Sequence, residues 1–239
     1  MSTQPDPNEL LRLAEHHLSR VLEYDPYLNF PGIHDRSAFG ALISSDPAFA
    51  PFGLDDDRYI IARIGGNLVT SLHRKIGDMY QAIFLYLLAC RFNLTIASMK
   101  LNVTVKIGER DQIRSTDGMV PISCITNANL PLLKSDWKST NGLAFEVRSC
   151  YQIGDSKRIQ ADWDMALALQ AKNFTPVMLV FCNTSLRSPL IRLNNSWNLF
   201  TGDDAFTFIY NLTQFDLKAF LLVNQTTLTN LVHQSLAKL

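Results

Sequence analysis

The most constraining feature of the chain is a strand–helix–strand run between residues 143 and 182. LAFEVRSCYQI (143–153) is apolar around Glu146 and Arg148, and GDSKRIQADWDMALAL (154–169) opens polar and becomes apolar. TPVMLVFC (175–182) is a compact apolar run. Short apolar runs bounded by polar turns read as strands buried on both faces. A helix is expected over 156–172, with Asp155 or Ser156 as its N-cap. Strand, helix and strand at this spacing form a crossover, which makes the two strands parallel neighbours. The unit predicts an α/β fold in which a central mixed β-sheet is flanked by helices.

Other elements follow from periodicity. Residues 8–23 carry apolar positions at helical spacing, with Asp6 or Asn8 as caps. Residues 24–58 hold Pro26, Pro31, Pro47 and Pro51 and read as irregular, with one short helix near 36–43. A long helix is expected over 67–92, polar at its start and apolar all round at its end. In IASMKLNVTVKIG (96–108), Met99, Leu101, Val103, Val105 and Ile107 share one face, as in a half-buried strand. DGMVPISCI (117–125) reads as the next strand, and 126–142 as a polar loop that includes Asn129. After 185–200, a helix is expected over 204–213 with Asp203 as its cap, then a broken helix over 216–237.

The 239 residues fit a single domain: a helical and irregular segment 1–60, a core about 67–183 and a helical part 184–239. Net charge is zero, yet residues 1–60 hold 10 acidic and 4 basic side chains, and the remainder 12 acidic and 18 basic. The body is therefore mildly basic and tolerates phosphate, but a protein bound to nucleic acid by charge alone is more basic than this. Cys90, Cys124, Cys150 and Cys182 form no C-x-x-C pair and read as buried small hydrophobes, which suits a reducing cytosol. The start MSTQPDPNEL lacks the character of a signal peptide, and the longest apolar run, 82–92, is broken by Arg91. A cytoplasmic protein without a membrane segment is expected.

The chemistry concentrates on three residues. Asp117 lies in a Thr-Asp-Gly turn entering one strand, and Glu146 and Arg148 lie on the next. Strand alternation points Glu146 and Arg148 to one side and Phe145 and Val147 to the other. Charges inside an apolar strand cost free energy unless they are paired or bind a metal. One reading is a structural Glu–Arg pair facing water on an edge strand. The other joins Asp117 and Glu146 as hard oxygen ligands for Mg2+, with waters and a substrate phosphate completing the shell. The five histidines are scattered without zinc spacing. No G-x-S-x-G motif is present, and Gly65-Gly66 precedes the long helix without the lysine of a phosphate-binding loop.

Asp117, then Glu146-x-Arg148, then a helix, resembles the active-site pattern of the PD-(D/E)xK nuclease superfamily, and within it the type II restriction endonucleases. The resemblance covers roughly residues 67–183 and lies in the order helix, strand, strand, strand, helix, strand. It implies a restriction-endonuclease-like fold, Mg2+ as cofactor, double-stranded DNA as partner and a homodimer that cuts both strands of a specific short sequence. It makes Asp117 and Glu146 the metal ligands. The long helix would match the family's first core helix, with Asp78 or Gln81 near the site. The chain departs from the pattern at Thr116, where the family often has proline, and at Arg148, which stands in the lysine position. Arginine stays protonated and cannot serve as a base, although it can hold the scissile phosphate. Lys157 could instead supply an ammonium from the next helix, or the substitution could weaken or remove cleavage. A nuclease-like fold that binds DNA without cutting it is the alternative.

Around this centre, Lys157, Arg158, Asp162 and Asp155 lie near the N-terminal end of the following helix, whose dipole favours anions. Gln160 and Asp164 share a face at i, i+4, so that Asp164 could support the site. Arg158 and Gln160 are candidates for touching backbone phosphate. Lys134, Lys138, Arg187 and Asn194 are candidates for contacting DNA from the segments 126–142 and 184–198.

Overall fold

The computed structural model describes residues 4–28, 30–128, 134–151 and 156–237. The helices are α1 (Pro7–Ser19), α2 (Arg36–Ser44), α3 (Asp57–Phe92), α4 (Ile122–Asn127), α5 (Ser156–Ala171), α6 (Arg187–Leu193), α7 (Asp203–Thr213), α8 (Leu217–Val223) and α9 (Gln225–Leu236). The strands are β1 (Asn102–Ile107), β2 (Arg110–Ser115), β3 (Gly118–Pro121), β4 (Gly142–Arg148), β5 (Thr175–Val180) and β6 (Asn198–Thr201). The chain divides into two compact units, Met1–Ala14 with Gly77–Asn224, and Glu15–Ile76 with Gln225–Leu239. This division cuts across the three segments drawn from the sequence, and α3 contributes residues to both units.

The first unit is built on a four-stranded mixed sheet in the order β3-β4-β5-β6. β3 runs antiparallel to β4, whereas β4, β5 and β6 are parallel. The crossover read from the sequence thus joins adjacent parallel strands through α5. Every residue of β5 is buried, as expected for a strand covered on both faces. On one face, Ala144, Met178 and Val180 pack against Ile159, Met165, Ala166 and Leu169 of α5. On the other, Phe145 meets Phe84 of α3 edge-on at 5.0 Å and Phe208 of α7 at 6.3 Å. Strand alternation therefore turns Phe145 towards α3 and α7, and Glu146 towards α5.

In the second unit, Phe39 and Ile43 of α2 pack with Ile60 and Ile64 of α3. Val21 packs with Leu68, Leu72 and Val232. Ile60, Ile64, Leu68 and Leu72 form an i, i+4 stripe that carries α3 ten residues further upstream than the expected start at 67. Asp56 caps that earlier start, its carboxylate accepting the Arg58 N–H at 2.8 Å. Gly65 and Gly66 therefore lie inside the helix rather than before it, because buried apolar contacts on either side outweigh the ~1 kcal/mol that a helical glycine costs.

Several expectations are corrected. Residues 97–99 form a 3-10 turn instead of strand, since Thr95 and Ser98 bond reciprocally through hydroxyl and backbone N–H at 3.1 Å. The strand expected over 117–125 stops at Pro121, which has no N–H to donate and becomes the N-cap of α4. β2 carries only one large apolar residue, Ile113, which is exposed; the strand exists because Gly108, at φ +60°, turns the chain back onto β1. β6 begins in the stretch 185–200, to which periodicity assigns no strand. The four cysteines are free thiols and half-buried rather than enclosed. Asp155, a proposed cap, and Asn129 lie outside the described residues. Among the described residues no helix is long and apolar enough to cross a membrane.

The cap of α7 is Gly202 and not Asp203, which instead pairs with Lys218 at 2.7 Å. Gly202 has φ +53°, and a Cβ there would lie 1.7 Å from Asn183 Oδ1. Gly202→Ala should therefore destabilise the protein by about 1–3 kcal/mol from backbone strain alone, with the clash in addition. Chemical denaturation of the variant beside the native protein checks this; an unchanged midpoint would contradict it.

Candidate active site

Asp117 sits immediately before β3, one step beyond the Gly118–Phe145 pair in the antiparallel register, and so opposite Glu146. Its N–H donates to the Phe145 carbonyl at 3.0 Å, and its Oδ2 accepts the Val147 N–H at 2.8 Å. The Asp117 carboxylate is thereby tied to the backbone of the strand that bears Glu146 and Arg148. These side chains meet at the carboxyl end of β4, the end of a parallel strand at which ligands bind in open α/β sheets.

Arg148 joins the group together. Its Nη1 lies 3.4 Å from Asp117 Oδ2 and donates to the Val147 carbonyl at 3.1 Å. Its Nη2 pairs with Glu146 Oε1 and lies 3.2 Å from Asp162 Oδ1. Asp162 comes from α5, and its other oxygen accepts the Tyr151 hydroxyl at 2.6 Å. Arg148 Nε is buried and meets no acceptor among the described residues. Side-chain exposure is 20% at Arg148 and 16% at Asp117, but 9% at Glu146 and Asp162, so access is from the Asp117–Arg148 side.

Burial dominates the electrostatics. It pushes the Glu146 carboxyl up to about 8, assisted by Asp117 and Asp162 and opposed by Arg148. Asp117 is raised for the same reason; Arg148 and the Val147 N–H oppose the shift, and Asp162 and Asp78 add to it. Burial alone would lower the Arg148 guanidinium, but Glu146, Asp162 and Asp117 together hold it above its ordinary value. The arginine is therefore always cationic, and Glu146 holds its proton to higher pH than an ordinary carboxyl.

Among the described residues, no three His, Cys, Asp or Glu side chains are grouped as a ready metal cage. The strand carboxylates still fit Mg2+, which uses one or two carboxylates with waters and substrate phosphates. Each leaves one oxygen outside the contacts above, Oδ1 of Asp117 and Oε2 of Glu146.

The remaining sequence candidates divide by position. Asp78, half-buried on α3, is close enough to act on Asp117, and Gln81 lies one turn on, also half-buried. Lys157 is exposed in the first turn of α5 and is not among the charges acting most strongly on Asp117 or Glu146. Arg158 lies 5.8 Å from the Tyr151 ring centroid, and Leu186 donates its N–H to the Tyr151 carbonyl. Arg158 and Arg187 are therefore at the Arg148 end of the sheet. Gln160 donates to Asp164 at 2.8 Å, so one Asp164 oxygen is engaged on α5. Asn194 is exposed at the C-cap of α6. Lys134, 5.0 Å from the Trp137 ring, and Lys138 lie where the chain enters β4, ~20 Å of strand away from Arg148. Sequence reasoning missed Asp162 and Tyr151 as members of the cluster. In the sequence, Asp162 reads only as a polar residue near a helix start, and Tyr151 as part of an apolar strand.

No protein-family model, curated protein or solved structure matches this chain.

The raised Glu146 carboxyl makes a testable statement about stability. Between its ordinary 4.5 and about 8, the folded protein holds a proton that the unfolded chain has released. This contribution to stability is full below 4.5 and is lost as pH rises through about 8. Without divalent cations, melting temperature should fall with pH across that window, and Glu146→Gln should flatten the slope. A variant with the native slope would contradict the assignment.

Proposed function

We propose that the protein is a Mg2+-dependent endodeoxyribonuclease that hydrolyses phosphodiester bonds in double-stranded DNA at a specific short sequence, in the manner of type II restriction enzymes. The observation that carries this reading is the convergence of Asp117 and Glu146, from adjacent antiparallel strands, on the guanidinium of Arg148. The sequence specificity and the homodimer rest on the family resemblance: one site per chain cuts one strand, and a two-fold pair of sites cuts both.

Asp117 and Glu146 would hold the cation through the oxygens left outside their contacts with Arg148. Mg2+ held there would supply a water of lowered pKa and would offset phosphate charge. Glu146 gives up its proton when the cation takes its place, so binding should tighten with rising pH. Arg148 holds the scissile phosphate and stabilises the charge that builds on it in the transition state, and it takes no proton. Arg158 and Arg187, exposed at the same end of the sheet, can take flanking phosphates.

One observation favours a second reading. Arg148 is already paired with three carboxylates, an arrangement that could serve a protein that holds DNA without cutting it. Incubation of plasmid DNA with the protein and Mg2+ separates the two. Discrete fragments are the expected result, and Asp117→Ala and Glu146→Ala should each lower cleavage by about a hundredfold or more while retaining DNA binding. DNA that is retarded but intact would replace the nuclease with the binder, and normal cutting by both variants would overturn the site.

A further inference from the structure

The support around Arg148 is built more heavily than an ion pair requires. Asp162 is buried, yet its carboxylate divides its two oxygens between Arg148 Nη2, at 3.2 Å, and the Tyr151 hydroxyl, at 2.6 Å. Its backbone carbonyl accepts the Trp197 indole N–H at 2.9 Å, and the carbonyl of Ala161 before it accepts from Arg114 at 2.6 Å. Tyr151 is itself buried, and Met178 lies beneath its hydroxyl. Asp162 is thus fixed at both its side chain and its backbone, on the helix side of Arg148.

Charge gives this position a purpose. Once Glu146 has given up its proton, three carboxylates and one guanidinium leave two negative charges in a low-dielectric site, the charge of one divalent cation. A cation on the outer oxygens of Asp117 and Glu146 would repel the Arg148 guanidinium and draw on the negative charge of the same two carboxylates. Arg148 must then keep a partner elsewhere or be left as an uncompensated buried charge. Asp162 is the partner already in place.

We propose that Asp162, held by Tyr151, is a positioning residue that draws Arg148 away from the strand carboxylates when a divalent cation binds, keeping the guanidinium beside the site. The inference rests on the metal-dependent reading above and adds that Asp162 acts through Arg148 and not as a metal ligand. Asp162→Asn leaves Arg148 with Asp117 and Glu146 alone, so the arginine competes harder with the cation.

Calorimetric titration of the full chain with Mn2+ or Mg2+, in the absence of DNA, tests this in a double-mutant cycle with Arg148→Gln. Asp162→Asn should weaken cation binding by about tenfold in the native background and by less than about twofold in the Arg148→Gln background. Tyr151→Phe should act in the same direction with a smaller effect, and it provides the measurement if a charge-altering variant fails to fold. An equal loss in both backgrounds would make Asp162 a direct ligand and overturn the proposal. Unchanged affinity in both Asp162→Asn and Tyr151→Phe would reduce the pair to a structural role and overturn it too. Absence of cation binding by the native protein would instead remove the metal-dependent reading itself, and this inference with it.

Discussion

A single guanidinium allows three carboxylates to share the interior at the end of β4. Asp117, Glu146 and Asp162 arrive from a turn, a strand and a helix, and Arg148 touches all three. Without it they would repel one another in a medium that screens poorly. Such a group contributes little to net stability, because desolvation cancels much of the attraction and apolar residues of similar volume often do as well. Its presence in an otherwise apolar sheet is therefore not accounted for by stability alone.

The sheet makes the arrangement possible by separating two tasks along one strand. Phe145 spends its side chain on the aromatic contacts with Phe84 and Phe208, while its carbonyl holds the backbone of Asp117. Glu146 and Arg148, turned to the other face, meet α5 where Asp162 stands. The parallel pairing of β4 with β5 continues past the sheet through bonds from Phe181 and Cys182 to Arg148 and Ser149, which steadies the chain next to the site.

Local chemistry made much of the architecture legible. The apolar runs at 143–153 and 175–182, with an intervening helical pattern, predicted adjacent parallel strands, and alternation placed Glu146 and Arg148 on one side. Asp6, a cap candidate from the sequence, accepts the Asn8 N–H at 2.9 Å at the start of α1, because a short carboxylate reaches the first helical N–H groups. Failures came where long-range contacts outweighed local preference. β2 takes its conformation from pairing with β1, and α3 passes through Gly65-Gly66 because its buried stripe continues on both sides.

By itself, the sequence determined which residues could carry charge chemistry and which strand would bear two of them, because side-chain period and polarity are local properties. Only the tertiary structure decided that Asp117 faces Glu146 across a strand pair, and that Asp162 and Tyr151 complete the cluster. Those encounters join residues distant along the chain, and register and helix packing, which no local pattern encodes, set their geometry.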